Sequence, residues 1–316
     1  MWISPYKYVL SLGHLCSDIN QSILSAVLPF LIATYHYDYT TATMLVTVSN
    51  VFGAFVQPFI GMLSDKKNKL LYMTLGVLLA SGGMAVTGFI SNFFGLCIAV
   101  IISGIGVAMF HPQAAKLVNS VSSKNAKGKG MSIFSFGGKV GFTLGQVYTA
   151  FLMNLFGMKG TILFLIPGIV FGIVCSFFNK DFENLDVLEV EKKEKVKSEQ
   201  KDDWSGFIKL CGVVFSRSIL SNGISTFLAF YFIQQFSKSN SFASMILSVF
   251  YGIGSIATLL GGGIADCFGH RKMVRLSFCI CLPAIFIFTN TSHFVIALIM
   301  LIFMTCGESL SYSPMV

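Results

Sequence analysis

The sequence predicts an all-α, polytopic membrane protein, and three observations carry that prediction. Apolar stretches of about 20 residues, the length that crosses about 30 Å of hydrocarbon, recur from end to end of the 316-residue chain with short polar punctuation between them. Charged residues make up 11% and mean hydropathy is +0.75, whereas a water-soluble domain carries roughly a quarter charged residues. Lys and Arg gather in alternate loops, the distribution that the positive-inside rule describes.

Taken in order, the apolar lengths place spans at residues 8–33, 40–63, 70–90, 93–117, 130–153 and 159–178, then at 206–234, 242–264, 273–290 and 293–316, about ten in all. The first carries His14 and Asp18 and has no small-residue cleavage site, so it reads as a retained span and not a signal peptide. Between the sixth and seventh spans the chain turns to DFENLDVLEVEKKEKVKSEQKDD, which has too little apolar content to enter lipid and reads as a solvated linker. The expected organisation is an N-terminal bundle over 1–179, a charged linker over 180–205 and a C-terminal bundle over 206–316.

The basic loops hold Lys66, Lys67 and Lys69, then Lys124, Lys127 and Lys129, then the linker, then Arg271, Lys272 and Arg275, while the other loops hold only Lys159 and Lys238. The N-terminus, the linker and the basic loops are therefore expected in the cytoplasm, with the protein in the plasma (inner) membrane. The linker's acids do not weaken this, because the rule counts Lys and Arg near span ends.

A net charge of +8 could signal nucleic acid, but no basic helix or aromatic-interleaved basic patch is present, and topology accounts for the lysines. The eight cysteines lie mostly within spans, with no CxxC pair and no His at zinc spacing, and read as packing residues. No HExxH or GxSxG pattern and no Gly-rich phosphate loop points to an enzyme, and no cofactor or metal is expected. The 32 phenylalanines, spread over nearly every span, read as lipid-facing and packing residues.

Two span ends are alike. Gly61 is followed by Asp65, Lys66, Lys67, Asn68 and Lys69 after the second span, and Gly262 by Asp266, Cys267, Gly269, Arg271 and Lys272 after the eighth. A small residue lets helices approach, an acid can bond to a neighbouring helix N-terminus, and a tight turn needs Gly or Asn where φ is positive. This repeat at corresponding places in two halves resembles the loop signature of the major facilitator superfamily, and the resemblance covers the whole chain. It departs from that signature at Asn68, in place of a glycine, and at Cys267, in place of a base.

A narrower resemblance, to the fosmidomycin-resistance branch of drug exporters, rests on three segments. They are Gly13, His14, Asp18, Asn20 and Gln21 with Leu28 and Pro29; Gly104, Gly106, Phe110, His111 and Pro112; and Gly137, Gly138, Lys139 and Gly141. The resemblance implies a fold of two six-helix bundles and proton-driven efflux. Members have twelve spans, so two are expected to be lacking here, and with them the eleventh helix that the acid corresponding to Asp65 contacts in the family.

Away from the span ends lie six ionisable side chains: His14, Asp18, His111, Lys139, Arg217 and Glu308. Each costs about 2.5 to 3.5 kcal/mol at a helix centre if charged and facing lipid, so each must face a cavity or a partner. Ser11, His14, Asp18, Ser22 and Ser25 form one polar stripe on the first span, bordered by Gln21. Asp18 reads as a proton-binding carboxylate with His14 or His111 as relay, or else as helix glue through His14. Pro112 is expected to bend the fourth span beside His111.

In the fifth span Gly137, Gly141 and Gly145 repeat every four residues as a packing strip, while Ser135, Lys139, Thr143 and Gln146 form a polar one. Arg217 is either an anion fork or a side chain that snorkels to the surface, and Glu308 is a second proton site or its partner.

The reading is thus a proton-coupled antiporter exporting drugs or small organic compounds by alternating access at a midplane cavity between two bundles. Asp18, His14, His111 and Glu308 couple protons, and Gln21, Lys139, Gln146, Arg217 and Asn222 contact substrate. Gly61, Asp65, Lys66, Lys69, Gly262, Asp266, Gly269 and Arg271 form the gating loops. Partners are a small-molecule substrate, protons and the bilayer, with no nucleic acid and a monomeric chain. Uptake of an organic anion or sugar is the alternative on the same fold, and a non-transporting truncated fragment is another.

Overall fold

The structure, a computed structural model, describes residues 6–64, 69–122, 126–178, 204–238 and 240–310. Its helices are α1 (Tyr6–Tyr35), α2 (Tyr39–Ser64), α3 (Lys69–Ala85), α4 (Phe93–Val121), α5 (Lys127–Phe156), α6 (165–178), α7 (Trp204–Phe236), α8 (Asn240–Phe268), α9 (His270–Asn290) and α10 (Phe294–Leu310). Among the described residues there are no strands. Among those residues seven helical stretches are long and apolar enough to cross a bilayer, and one of them, Lys127–Phe178, runs for 52 residues and holds both α5 and α6.

The boundaries differ from the apolar lengths where backbone geometry intervenes. The sixth segment opens as a 3₁₀ turn, Gly157–Phe164, and only then becomes α-helical. The reversal falls at Gly157, whose φ of +56° suits a residue without a Cβ at a helix C-terminus. Helix α4 runs through Pro112 without ending there. The expected linker lies almost wholly outside the described residues, as do Asp65, Lys66, Lys67, Asn68 and the last six positions, 311–316.

Two compact units divide the chain: Met1–Ser123 with Gly137–Glu191, and Lys124–Phe136 with Lys192–Val316. The first turns of α5 thus belong to the unit of α7–α10, and the rest of α5 to the other. In the first unit α4 packs against α1, α2 and α3. Its core gathers Ile23, Val27, Leu31, Met84, Leu96 and Phe164, all fully enclosed. In the second unit α9 and α8 flank α10, and Phe232, Phe250, Ala297 and Leu301 lie at the centre.

The halves share a local device. His36 directly follows α1 and Ser237 directly follows α7, both non-glycine residues with positive φ, +58° and +49°. After α7 the Lys238 amide donates to the Phe232 carbonyl at 3.3 Å, closing the end of the helix. Asp38 caps the start of α2, accepting from the Thr41 amide at 3.2 Å.

The phenylalanines range from enclosed to exposed. Phe110, Phe164, Phe171 and Phe232 are fully enclosed, while Phe94, Phe177 and Phe286 are more than two-thirds exposed. Outward apolar side chains on helices whose backbone bonds are satisfied internally are what a lipid solvent requires.

Candidate functional site

In the first unit Asp18 sits where α1, α4 and α5 meet. His14, one helical turn before it, places Nε2 3.3 Å from Asp18 Oδ2, and His111 of α4 places Nε2 3.3 Å from Oδ1. The two imidazoles lie edge to face with centroids 5.1 Å apart. His14 and Asp18 are buried, whereas His111 keeps 24% of its side chain exposed. Asp18 Oδ1 has no aligned hydrogen bond among the described residues.

Helix α5 closes the third side with backbone. A Cβ on Gly138 would lie 2.5 Å from Asp18 Oδ2 and 2.6 Å from His14 Nε2. Its neighbours on the glycine strip do the same against α1: a Cβ at Gly141 would lie 2.5 Å from the Leu15 carbonyl oxygen, and one at Gly145 2.7 Å from that of Ile19. The four-residue repeat brings two backbones together, and Gly138 beside it leaves room for a carboxylate and an imidazole. Below, Phe110 and Phe171 meet edge to face at 5.8 Å under Gly13, and so floor the cluster.

Around this cluster the first unit buries amides that the search for ionisable groups did not single out. Asn20 Nδ2 donates to the Cys16 carbonyl at 2.8 Å and to Ser81 Oγ at 2.9 Å, while its Oδ1 has no partner among the described residues. Gln113, two residues beyond His111 and fully enclosed, has neither side-chain atom hydrogen-bonded among those residues, and the same holds for Ser17 Oγ. In the sequence Gln21, Gln146 and Asn222 stand out among the carboxamides inside spans, Asn20 only within a motif and Gln113 not at all.

Of the other expected site residues, Gln21 is exposed on α1, and Lys139 and Gln146 are half-buried on α5. The Asn222 side chain lies outside the described residues. In the second unit Arg217 and Glu308 find each other. Arg217 Nη2 stands 2.5 Å from Glu308 Oε1 and 3.2 Å from the Glu308 carbonyl oxygen, and Ser309 Oγ donates to Oε2 at 2.9 Å. Both charges are buried, so Arg217 does not reach to the surface.

The second loop motif is fully described. Asp266 accepts from the amides of Gly128 at 2.9 Å and Lys129 at 2.8 Å, capping the N-terminus of α5 with a negative charge. His270 Nε2 lies 3.6 Å from its Oδ1. The Gly262 amide donates to Ser132 Oγ at 2.8 Å, and a Cβ there would collide with the Gly128 carbonyl. Gly269 turns α8 into α9 with φ +93°, and Arg271 is exposed. At Gly61, by contrast, a Cβ would meet nothing within 4 Å among the described residues. Asp65 and Lys66 lie outside those residues, as does the Lys69 side chain.

Long apolar helices, lipid-type outward side chains and buried charges inside spans define a multi-pass helical membrane protein of carrier architecture. The chain belongs to the Major Facilitator Superfamily, whose family model matches residues 10–316. That family consists of transporters and not enzymes.

Among its relatives, the chain is 24% identical over 278 residues to an uncharacterized MFS-type transporter, YfnC, of Bacillus subtilis, covering 86% of this chain and 68% of that one. It is 23% identical over 276 residues to the fosmidomycin resistance protein of Escherichia coli, covering 84% and 66% respectively. The chain thus spans about two thirds of the length of these relatives. The fold matches that of the human organic anion transporter MFSD10, with TM-score 0.78 and 16% identity over 98% of this chain and 84% of that one. It also matches the proton:xylose symporter XylE, with TM-score 0.74 and 17% identity over 99% and 81%.

Proposed function

We propose that this protein is a proton-coupled secondary transporter of the plasma membrane, an antiporter that exports drugs or small organic compounds by alternating access. The observation that carries the reading is the His14–Asp18–His111 cluster: a carboxylate enclosed in an apolar span, flanked by two imidazoles at 3.3 Å. A buried acid flanked by imidazoles offers adjacent groups between which a proton can pass. His111, partly exposed, is the entrance and His14 the inner partner. Similarity to a fosmidomycin resistance protein and to multidrug resistance proteins supports export of small organic molecules.

On this reading protonation of Asp18 loosens its hold on the imidazoles, and the cycle reverses when the proton leaves on the cytoplasmic side. Lys139, Gln146 and Gln21 serve the substrate, with Asn222 as their counterpart in the second unit. Arg217 and Glu308 supply a neutralised charge pair that an anionic substrate would reorganise. The N-terminus and the linker are cytoplasmic, and the chain works as a monomer.

The test is proteoliposomes loaded with a pH-sensitive dye, given an imposed pH gradient and fosmidomycin as the probe substrate. Wild type should couple probe movement to proton flux, and Asp18→Asn should abolish the coupling. Coupled flux that survives in Asp18→Asn would sink the assignment.

A further inference from the structure

The same three side chains have a geometry that a proton does not require. One ligand atom each from His14, Asp18 and His111 lies within 4.8 Å of the other two. Both imidazole-to-carboxylate separations are 3.3 Å. A tetrahedron with ligands about 2.0–2.1 Å from its centre has edges of about 3.3–3.4 Å, and each imidazole stands at that separation from one oxygen of the carboxylate, His14 from Oδ2 and His111 from Oδ1. We propose that His14, Asp18 and His111 form a binding site for a borderline divalent transition-metal ion of the Zn(II) type.

Four features of the site bear on this. The donor set, two imidazoles and one carboxylate, suits Zn(II), Co(II) or Ni(II) better than the all-oxygen demands of Mg(II) or Ca(II). Asp18 Oδ1 is enclosed and lacks an aligned hydrogen bond among the described residues, although its side chain is only 9% exposed. A buried carboxylate oxygen in that state has lone-pair capacity to spare, and an ion would take it up.

The third feature is space. Helix α5 presents Gly138 here, and a Cβ at that position would lie within 2.6 Å of both Asp18 Oδ2 and His14 Nε2. The fourth is access, since His111 retains 24% side-chain exposure beside two enclosed partners. Three protein ligands leave a fourth tetrahedral position for water or an exogenous group. A bound ion would also tie α1 to α4, because His14 and Asp18 come from one helix and His111 from the other.

The proposal stands on the geometry of the cluster, and its test reads metal binding and not transport, so it can fail while the transport reading survives. Purified full-length protein in detergent is titrated with Co(II) and followed by visible absorption, with Zn(II) stoichiometry measured by equilibrium dialysis. One equivalent should bind, with the intense d–d bands of a tetrahedral nitrogen and oxygen site and no thiolate charge transfer.

His111→Gln should weaken Zn(II) binding by about 100-fold or more, since changes to the groups behind a ligand alone cost 10- to 100-fold. Gly138→Ala should weaken it too, by filling the space between α5 and the carboxylate. Folding of each variant is checked by circular dichroism. If neither variant folds, the wild-type spectrum decides between nitrogen and oxygen ligation, which supports the site, and thiolate ligation, which overturns it. Absence of stoichiometric binding to folded wild type, or binding unchanged in both folded variants, also overturns it.

Discussion

Arg217 Nη2 holds Glu308 at two points, the carboxylate Oε1 at 2.5 Å and the backbone carbonyl at 3.2 Å, across 91 residues of sequence. The two charges neutralise one another where neither could be carried alone. Removing one partner leaves the other uncompensated, which costs about 3–5 kcal/mol, whereas replacing both with apolar residues of similar volume is often neutral. Arg217→Met and Glu308→Leu should therefore each lower the thermal midpoint in detergent sharply, and the double variant should recover most of the loss. Additive losses in the double variant would show that the pair does not act as a unit.

Asp266 shows how charge and close approach cooperate in one loop motif. Lys127 and Lys129 place positive charge in the first turn of α5, where the helix dipole is already positive. Asp266 offsets both by accepting from the Gly128 and Lys129 amides. Loss of such a cap costs about 0.5–2 kcal/mol. Asp266→Ala should destabilise by that order, and Asp266→Asn, which keeps an acceptor without charge, by less. Gly262→Ala should match or exceed Asp266→Ala, because its Cβ would run into the Gly128 carbonyl. Thermal unfolding of the three variants in one detergent ranks them.

What could be read in the sequence was whatever repeats at short range. Apolar lengths located the long helices of the described residues, because span length is fixed by the bilayer and not by tertiary detail. His14 and Asp18 share a face at four-residue spacing, and the glycine strip of α5 follows from the same periodicity. The pairings that give these residues their chemistry were not legible. Asp18 meets His111 from another helix, Arg217 was open to either surface or partner, and Asp266 reaches Gly128 across 138 residues. Periodicity fixes which face a residue occupies but not which helix faces it. The enclosure of the Asn20 and Gln113 amides was not legible either, because sequence spacing does not tell a buried carboxamide from an exposed one such as Gln21.

Asp38 offers a pH test outside the membrane. Its carboxyl is held below the usual range, first by the Thr41 side chain and then by backbone amides at the start of α2. A depressed folded pKa gives a contribution that is complete above the unfolded value near pH 4 and is lost as pH falls through the lowered folded value. Wild type should therefore lose thermal stability below about pH 4 more steeply than Asp38→Asn, which caps without titrating. The two should differ little at pH 6. Parallel pH profiles would show that the carboxylate contributes nothing beyond its capping oxygen.

The glycines of the first unit separate close approach from mere helix composition. At Gly141 a Cβ would lie 2.5 Å from the Leu15 carbonyl oxygen and 3.0 Å from its Cα, so the clash is with backbone and cannot be relieved by a rotamer change. At Gly172 in α6 the nearest neighbour would be Thr74 Cγ2 at 3.8 Å, ordinary van der Waals contact. Overpacking costs about 1–3 kcal/mol, while Ala for Gly in an uncrowded helix gains about 0.5–1 kcal/mol. Gly141→Ala should accordingly lower the thermal midpoint and Gly172→Ala should hold or raise it. Equal effects at the two positions would mean that α5 can move off α1 at no cost. In that case the strip would have no part in setting the space that Gly138 leaves around Asp18.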